Sequence, residues 1–265
     1  MHPMLNIASR TARMAGELIR RYAGEVDRLQ IYNKEANDFV TEVDRKAERE
    51  IVYALRRAYP DHAILGEEGG QQGAADAEYQ WVVDPLDGTT NFIYGIPQFA
   101  VSIGLKQRGR LLLGVIFDPL RNELFAAARG EGATLNNRRI RVSQCTSLQG
   151  SLLSTGIPFR ANQNLDVYTE TLKALLPGTA GVRRLGSAAL DLAYVACGRF
   201  DGFWEFGLNE WDMAAGLLIV QEAGGLVGDL NGGNTHLQSG DVLAANPKIF
   251  KEMVQRLHPV LNQRG

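Results

Sequence analysis

Two carboxylates stand three residues apart at the end of an apolar run, in the segment VVDPLDGTT at residues 82–90. Asp84 closes the run, and Asp87 follows after a turn in which Pro85 presets φ and Gly88 permits a close backbone approach. Two carboxylates this close repel each other unless a cation lies between them. The structural alternative is an ordinary Asp-initiated turn whose second Asp caps a helix. The whole set of residues favours a cation site.

Backbone N–H groups are the second candidate feature. A short helix that begins at Gly88 or Thr89 would turn its free N–H groups toward the same space, and such groups bind phosphate oxygens. GSAA at residues 186–189 opens another predicted helix, and its small side chains leave the N–H groups accessible. An ordinary helix start with Ser187 as N-cap is the alternative there.

Three further acidic positions are ambiguous when each is taken alone. ILGEEGG places Glu67 and Glu68 after a short strand, where adjacent side chains point to opposite faces, so only one of them should reach a given site. WDMAAG places Asp212 in a first helical turn, where a carboxylate also complements the helix dipole. DFVTEVD holds Thr41 and Asp44 in a pattern resembling a capping box. Together these positions supply several carboxylates at strand ends and helix starts.

The amino-acid composition limits the kinds of ligand and metal that the candidate site could bind. The chain has 265 residues, 45% of them hydrophobic, and a net charge of −2, which gives no basic footprint for nucleic acid. Its four histidines are isolated and its two cysteines form no CxxC motif, which excludes the usual zinc patterns. Ligation by oxygen alone suits Mg²⁺. Mg²⁺ beside an anion-binding helix start indicates phosphoryl chemistry.

The amino-terminal segment predicts a cytoplasmic protein. Arg10 and Arg13 interrupt what would be the apolar region of a signal peptide. No stretch approaches the roughly 20 apolar residues of a membrane span, so we expect no membrane association. Both cysteines have small or apolar neighbours and are expected to be reduced and packed as small hydrophobic residues.

Predicted helices and strands alternate along the chain, and the strands cluster into antiparallel hairpins. This pattern predicts a layered α+β fold that positions the candidate residues. A division into two lobes near residue 145 is possible, although no linker composition marks it. The apolar spacing predicts helices over 3–22, 41–58, 164–176, 186–198, 210–225 and 247–258. Strands are predicted over 63–66, 80–84, 151–156, 201–207, 225–230 and 241–247, with an antiparallel meander over 98–135.

Four specific motifs combine the positions described above: GEE at 66–68, WVVDPLDGTTNF at 81–92, GSAALDLAYVACGRFDGFWE at 186–205 and WDMAAGLLIVQEAGG at 211–225. With these motifs the chain resembles the inositol monophosphatase family of Mg²⁺-dependent, lithium-sensitive phosphatases over essentially its whole length. MHPMLNIA and NDFVTEVD look most like its bacterial branch. The resemblance implies one domain over 1–265 with the layered αβαβα sandwich that the family shares with fructose-1,6-bisphosphatase.

The resemblance also implies a metal site for two to three Mg²⁺ ions. Glu67, Asp84 and the backbone carbonyl of Leu86 match the ligands of the first ion. Asp84, Asp87 and Asp212 match those of the second ion, and Glu67 is expected near a third, weaker one. The neighbouring Glu68 is expected to support this site from behind, whereas Lys34 has the wrong spacing for the family's lysine and is assigned no role.

The water and substrate positions follow in the same way. Thr89 and Asp44 match a hydroxyl–carboxylate pair that, with Glu67, orients and deprotonates the attacking water. The amides of Gly88 and Thr89 match the phosphate-binding groups. The positions that match contacts with the inositol hydroxyls are Asp87, Ala188, Glu205 and Asp212.

The implied reaction is Mg²⁺-dependent hydrolysis of a small phosphate monoester, an inositol monophosphate, to myo-inositol and phosphate by metal-activated water. One alternative is a fructose-1,6-bisphosphate or phosphoadenosine phosphatase, although the short chain favours the smaller monoester. Another is a non-catalytic role in ribosomal RNA transcription antitermination, in a complex with RNA polymerase and elongation factors. The net charge of −2 then favours protein contacts over direct RNA binding. Because the family commonly forms dimers, we also expect a homodimer.

Overall fold

The computed structural model describes residues 2–25, 31–35, 38–74, 76–158 and 164–262, with the backbone alone described between 31 and 40. The helices are α1 (Pro3–Tyr22), α2 (Glu42–Ala58), α3 (Thr89–Ile93), α4 (Leu165–Leu175), α5 (Ala188–Ala196), α6 (Glu210–Glu222), α7 (His236–Ser239) and α8 (Pro247–Leu261). The amino-terminal strands are β1 (Ile31–Glu35), β2 (Asp38–Thr41), β3 (Ala63–Gly66), β4 (Gly70–Gln72), β5 (Tyr79–Asp87), β6 (Ala100–Gln107) and β7 (Arg110–Asp118). The remaining strands are β8 (Glu123–Ala128), β9 (Gly132–Leu135), β10 (Arg138–Arg139), β11 (Leu152–Thr155), β12 (Gly181–Arg183), β13 (Gly202–Glu205), β14 (Leu226–Gly228) and β15 (Val242–Ala245).

Two sheets and three helical layers alternate. The larger sheet has eight strands in the order β10-β9-β8-β7-β6-β5-β3-β4, and the smaller has five in the order β12-β11-β13-β15-β14. Helices α1 and α2 cover one face of the larger sheet, and α5 and α6 lie between the two sheets. Helices α4 and α8 cover the far face of the smaller sheet. This is the layered αβαβα arrangement expected from the sequence.

Strand alternation explains why both sheets are buried on two sides. In β5, Trp81 and Val83 pack against α1 and α2, whereas Val82 between them packs against the central helices. In β13, Phe203 faces the central helices and Trp204 faces α4 and α8. Because successive side chains of a strand point to opposite faces, a continuous apolar run is what a strand between two helical layers requires.

Helix α6 lies unusually close to the larger sheet. A Cβ atom at Gly114 of β7 would lie 2.5 Å from the carbonyl oxygen of Ala215, so only glycine permits this approach. The helix is apolar on nearly every side, as expected for a buried central helix. Its amino-terminal end, which carries Asp212, is thereby fixed against the end of the sheet that contains β5.

The structure confirms the expected layered fold and most of the expected elements, with differences in pairing. The meander over 98–135 forms β6 to β9 in consecutive antiparallel pairs. Strand β3 pairs in parallel with β5, and β11 pairs in parallel with β12 and β13, which the expectation of antiparallel hairpins alone did not include. Within the described residues, no helix is both long and apolar enough to cross a membrane.

Strands β1, β2, β4, β10 and β12 were not predicted. These strands are only two to five residues long, and several are polar. Segments this short show no apolar alternation from which a strand can be predicted. Lys34 lies in β1, but its side chain is outside the described part of the chain.

Candidate active site

A cavity of about 440 Å³ opens where the strand ends and helix starts named in the sequence analysis meet. It lies at the end of β5, the end of β13, the turn after β3, and the starts of α3, α5 and α6. All but one of the expected site residues line it, and the exception is Asp44. The expected residues that line it are Glu67, Asp84, Leu86, Asp87, Gly88, Thr89, Ala188, Glu205 and Asp212.

The carboxyl end of β5 brings two carboxylates to the cavity, and its pairing with β6 is irregular between Asp84 and Asp87. The side chain of Asp84 accepts a hydrogen bond of 2.9 Å from the N–H of Leu86 within this irregular segment. Gly88 then adopts φ of 94°, and a Cβ atom there would lie 2.9 Å from the carbonyl oxygen of Gln98. The left-handed conformation and the close contact both require glycine. Helix α3 begins immediately afterwards, at Thr89, as expected.

Glu67 and Glu68 lie in the turn between β3 and β4, and they line different cavities, so only one of them reaches the site, as expected. Glu67 lines the cavity beside Asp84, and its N–H donates to the carbonyl of Val83 at 3.1 Å. Glu68 lines a separate groove, and its N–H donates to Glu48 at 2.8 Å. The expectation that Glu68 supports the site from behind stays a prediction.

Asp44 lies one layer behind the cavity and reaches it through Thr89. The Thr89 hydroxyl donates to one oxygen of Asp44 at 2.8 Å and lies 3.0 Å from the carbonyl oxygen of Leu86. The other Asp44 oxygen accepts from the hydroxyl and the N–H of Thr41 at 2.5 and 2.9 Å, which completes a capping box at the start of α2. Burial raises the pKa of Asp44 despite these hydrogen bonds.

Two helix starts hold the remaining carboxylates. One oxygen of Asp87 accepts from the hydroxyl of Ser187 at 2.5 Å and from the N–H of Ala189 at 2.8 Å, which ties the β5 turn to α5. Asp212, in the first turn of α6, accepts from the N–H of Asn209 at 2.7 Å. The expected N-cap role of Ser187 is confirmed as well.

The three aspartates disfavour one another's ionised form. Burial raises the pKa of Asp84 well above its ordinary value, and the charges of Glu67 and Asp87 add to the rise. Burial likewise raises the pKa of Asp212 well above its ordinary value, reinforced by the charges of Asp87 and Glu67. Burial raises the pKa of Asp87 to about 6, although the hydrogen bond from Ser187 opposes the change. A cation in the cavity would relieve this repulsion.

The donor set fits Mg²⁺, because carboxylates and a backbone carbonyl are hard oxygen ligands. Among the described residues, however, no group of three or more His, Cys, Asp and Glu side chains is arranged to hold one metal ion. The trio Asp84, Asp87 and Asp212 is therefore not preassembled as a cage. Mg²⁺ usually takes one or two carboxylates, with waters and substrate oxygens completing its shell, so carboxylates distributed around a cavity suit it.

The lining of the cavity also includes Ala188 at the start of α5 and Glu205 at the end of β13. A Cβ atom at Gly156 would lie 1.9 Å from the Glu205 carboxylate, so Gly156 leaves the space that this side chain fills. The small residues and the acidic end give the cavity room and hydrogen-bond acceptors for a polyol.

The sequence analysis missed Asp191 and Arg184, which also line the cavity. Asp191 is only 1% exposed, and its Oδ1 has no hydrogen-bond partner in the described structure. Burial raises its pKa well above the ordinary value, and the charges of Glu205 and Asp87 add to the rise. The sequence did contain a signal, because Asp191 interrupts the apolar run AALDLAYVA on a buried helix.

Asp191→Asn is expected to stabilise the protein increasingly as pH rises. The raised folded pKa means that the neutral carboxyl contributes stability at low pH, and this contribution is lost as pH rises through the folded pKa. A neutral amide avoids that loss, so we expect a melting temperature higher by about 2–4 °C at pH 8, on the scale of 1 kcal/mol, and little difference at pH 4.

Thermal unfolding of both proteins across this pH range measures the effect. Asp76→Asn, on an exposed loop, is the matched control. A difference between wild type and Asp191→Asn that does not grow with pH would contradict the assignment of a buried carboxyl with a raised pKa.

Comparison with known proteins agrees with this geometry. The model of the family described as the inositol monophosphatase family matches residues 1–261. A Pseudomonas aeruginosa protein named Nus factor SuhB is 58% identical over 265 residues, with 98% of each chain covered.

Solved structures agree in fold over nearly the whole chain. Extragenic suppressor protein suhB from Bartonella henselae matches with a TM-score of 0.94 and 44% identity, covering 97% of this chain and 98% of that one. An inositol monophosphatase from Anabaena (Nostoc) sp. PCC 7120 matches with a TM-score of 0.87 and 41% identity, covering 97% and 95%. The similarity to the SuhB proteins fits the bacterial branch indicated by the sequence. The chain belongs to the inositol monophosphatase family.

Proposed function

We propose that the protein hydrolyses inositol monophosphates to myo-inositol and phosphate in a Mg²⁺-dependent reaction in the cytoplasm. The observation that carries the proposal is the convergence of Glu67, Asp84, Asp87 and Asp212 on one cavity of about 440 Å³. Membership of a phosphatase family supports the reaction class. The cavity has the size of a small-ligand site. The space beside Ala188 and the carboxylate of Glu205 favour a leaving group that carries hydroxyls.

The residues that would hold two to three Mg²⁺ ions are these four carboxylates together with the carbonyl of Leu86. When bound, Mg²⁺ neutralises phosphate charge and lowers the pKa of water. The chain itself binds and orients the substrate. Gly88 and Thr89, at the start of α3, line the cavity, and we assign their N–H groups to the phosphate oxygens.

Thr89 and Asp44 provide a route for the proton of the attacking water, in concert with Glu67. The Thr89 hydroxyl already donates to Asp44, so a proton that the hydroxyl accepts from water can be matched by one passed to the carboxylate. Burial favours the protonated form of Asp44, which suits a proton acceptor. We assign the inositol hydroxyls to Asp87, Ala188, Glu205 and Asp212, which border the open part of the cavity.

Thr89→Val is expected to lower kcat by about a hundredfold, within the range for losing a positioned proton-transfer group. Valine keeps the shape of threonine but cannot pass a proton, whereas Thr89→Ser keeps the hydroxyl and should retain most of the activity. Steady-state phosphate release by the two variants measures the difference. Equal activity of the valine and serine variants would contradict the proton route.

A phosphate-release panel tests the substrate class. Inositol, fructose and nucleotide phosphates are compared with Mg²⁺ present, and the best substrate is then assayed with added Li⁺, which should inhibit. Highest kcat/KM for an inositol monophosphate supports the proposal. If kcat/KM is highest for a fructose bisphosphate or a nucleotide, that compound is the substrate and the inositol assignment is wrong. If no ester releases phosphate, the protein is not a phosphatase of these compounds.

A second function is favoured by the relatives, several of which are named Nus factor and are 49–58% identical to this chain. We propose that the protein, as a homodimer, also joins a complex of RNA polymerase and elongation factors through protein contacts. Purified bacterial elongation complexes should retain wild type and the inactive Asp87→Asn variant equally. Loss of binding in the Asp87→Asn variant alone would show that binding to the complex depends on the intact active site. If neither protein binds, the proposed role in the transcription complex is wrong.

A further inference from the structure

A second concave surface lies on the outer side of α2, behind the turn that carries Glu67. It encloses about 690 Å³. We call it the arginine groove, after the four exposed arginines that line it, Arg45, Arg49, Arg56 and Arg57. The other residues that line it are Glu48, Val52, Tyr53, Glu68, Gly69 and Gln72.

The charge of the groove is predominantly positive. Its two acidic side chains are Glu48 and Glu68, against four guanidinium groups. Glu48 is only 4% exposed, and its carboxylate already accepts the N–H of Glu68 at 2.8 Å. Within the described parts of the chain, Arg49 and Arg56 make no ion pair with a carboxylate. Their charges are therefore available to an anion from solution.

The arginines form an extended row. Arg45, Arg49 and Arg56 are four and seven residues apart, so they share one face of α2. At a rise of 1.5 Å per residue the row spans roughly 16 Å. Val52 and the 65% exposed ring of Tyr53 lie between its two halves. A single phosphate would engage only one end of the row, whereas a chain of phosphates could engage both, since each guanidinium fork matches phosphate oxygens.

The groove shares a wall with the active-site cavity but not its side chains. Adjacent residues divide between the two, with Glu67 in the cavity and Glu68 in the groove. The Glu48 carboxylate lies so close beneath the turn that a Cβ atom at Gly66 or Gly69 would be 2.6 Å from it. Because Glu68 and Gly69 line the groove, a ligand bound there would contact the turn that presents Glu67.

We propose that the arginine groove binds a linear chain of phosphates, carried either by inorganic polyphosphate or by a nucleoside triphosphate, and that binding orders the turn at 66–72. This site is independent of the phosphatase proposal, because it uses none of the residues assigned to catalysis. The arginines supply the attraction to phosphate, and Tyr53 supplies a ring on which a base can stack.

Calorimetry with inorganic tripolyphosphate in the presence of EDTA tests the proposal. Without divalent ions the carboxylates of the active-site cavity repel a polyanion, so binding at that site does not contribute. Wild type should bind, and Arg49→Ala with Arg56→Ala should weaken binding at least about tenfold, which corresponds to 1.4 kcal/mol. The control pair is Arg10→Ala with Arg138→Ala, which removes equal charge from exposed positions, Arg138 being at the opposite edge of the larger sheet.

Hydrogen exchange on wild type locates the site without relying on a variant. Added tripolyphosphate should protect the amides of 66–72 and leave those at the start of α3 unchanged. The affinities of wild type and Tyr53→Ala for ATP and for tripolyphosphate distinguish the two sources. If Tyr53→Ala loses affinity for ATP but not for tripolyphosphate, the ligand is a nucleotide. If the variant binds both compounds as wild type does, the ligand is inorganic polyphosphate. No binding by wild type, equal weakening in the control pair, or no protection of 66–72 would overturn the proposal.

Discussion

Replacing Asp87 by asparagine is expected to reduce phosphate release by more than about 10³-fold while leaving the fold intact. Asp87 is one of the cavity carboxylates assigned to Mg²⁺, and loss of residues that merely support a metal ligand already costs 10–100-fold in many enzymes. The amide oxygen of asparagine can still accept the hydrogen bonds that Asp87 receives from Ser187 and Ala189. The packing of α5 against the β5 turn should therefore survive.

Phosphate release at saturating substrate, followed over a wide range of Mg²⁺ concentration, measures this effect. Asp76→Asn makes the same chemical change on an exposed loop and should retain normal turnover. Circular dichroism and the melting temperature in EDTA establish that Asp87→Asn is folded. Normal turnover by a folded Asp87→Asn protein would refute the assignment of Asp87 to the metal site.

The metal-free protein is expected to lose stability as pH rises from about 4 to beyond 6. Burial raises the pKa of Asp87 from 3.8 to about 6, and it raises those of Asp84 and Asp212 well above the same ordinary value. In this window the folded state binds more protons than the unfolded state, so the free energy of unfolding falls as pH rises. Asp87 is partly open to the cavity, so we expect it to contribute on the order of 2 kcal/mol to this loss.

Mg²⁺ should reverse this loss, because it binds the ionised carboxylates of the folded state. At about a hundred times its dissociation constant a ligand adds about 2.7 kcal/mol, which corresponds to a rise of roughly 5–10 °C in melting temperature for a chain of this size. The measurement is thermal unfolding in EDTA and in Mg²⁺ at pH 5 and pH 8. A Mg²⁺-induced rise at pH 8 no larger than the rise at pH 5 would contradict the account.

The sequence predicted the local chemistry of the site because its signals are short in range. DPLDGTT contains its own turn residues, so the left-handed Gly88 and the start of α3 follow from neighbours in the chain, whereas β5 continues to Asp87, three residues beyond the strand end predicted at Asp84. The separation of Glu67 from Glu68 was also expected, although the structure places both in the turn between β3 and β4 and not in a strand.

Contacts between distant segments did not follow from the local pattern. Asp44 lies 45 residues from Thr89, and their pairing was expected only from the family resemblance, because a capping box fully explains the pattern around Asp44. Parallel pairing of β3 with β5 is set by the layers, since neither strand contains a signal for its partner. The arginine groove was invisible for the same reason, because it combines one face of α2 with the back of a turn.

The central claim is that Glu67, Asp84, Asp87 and Asp212 together hold the catalytic cations. Diffraction from crystals soaked in Mn²⁺, a stand-in for Mg²⁺ with anomalous signal, tests it most directly. We predict at least two anomalous peaks among these carboxylates and the carbonyl of Leu86, and their reduction in Asp87→Asn. Ordered Mn²⁺ only at other positions, or none at all in crystals saturated with the ion, would contradict the claim.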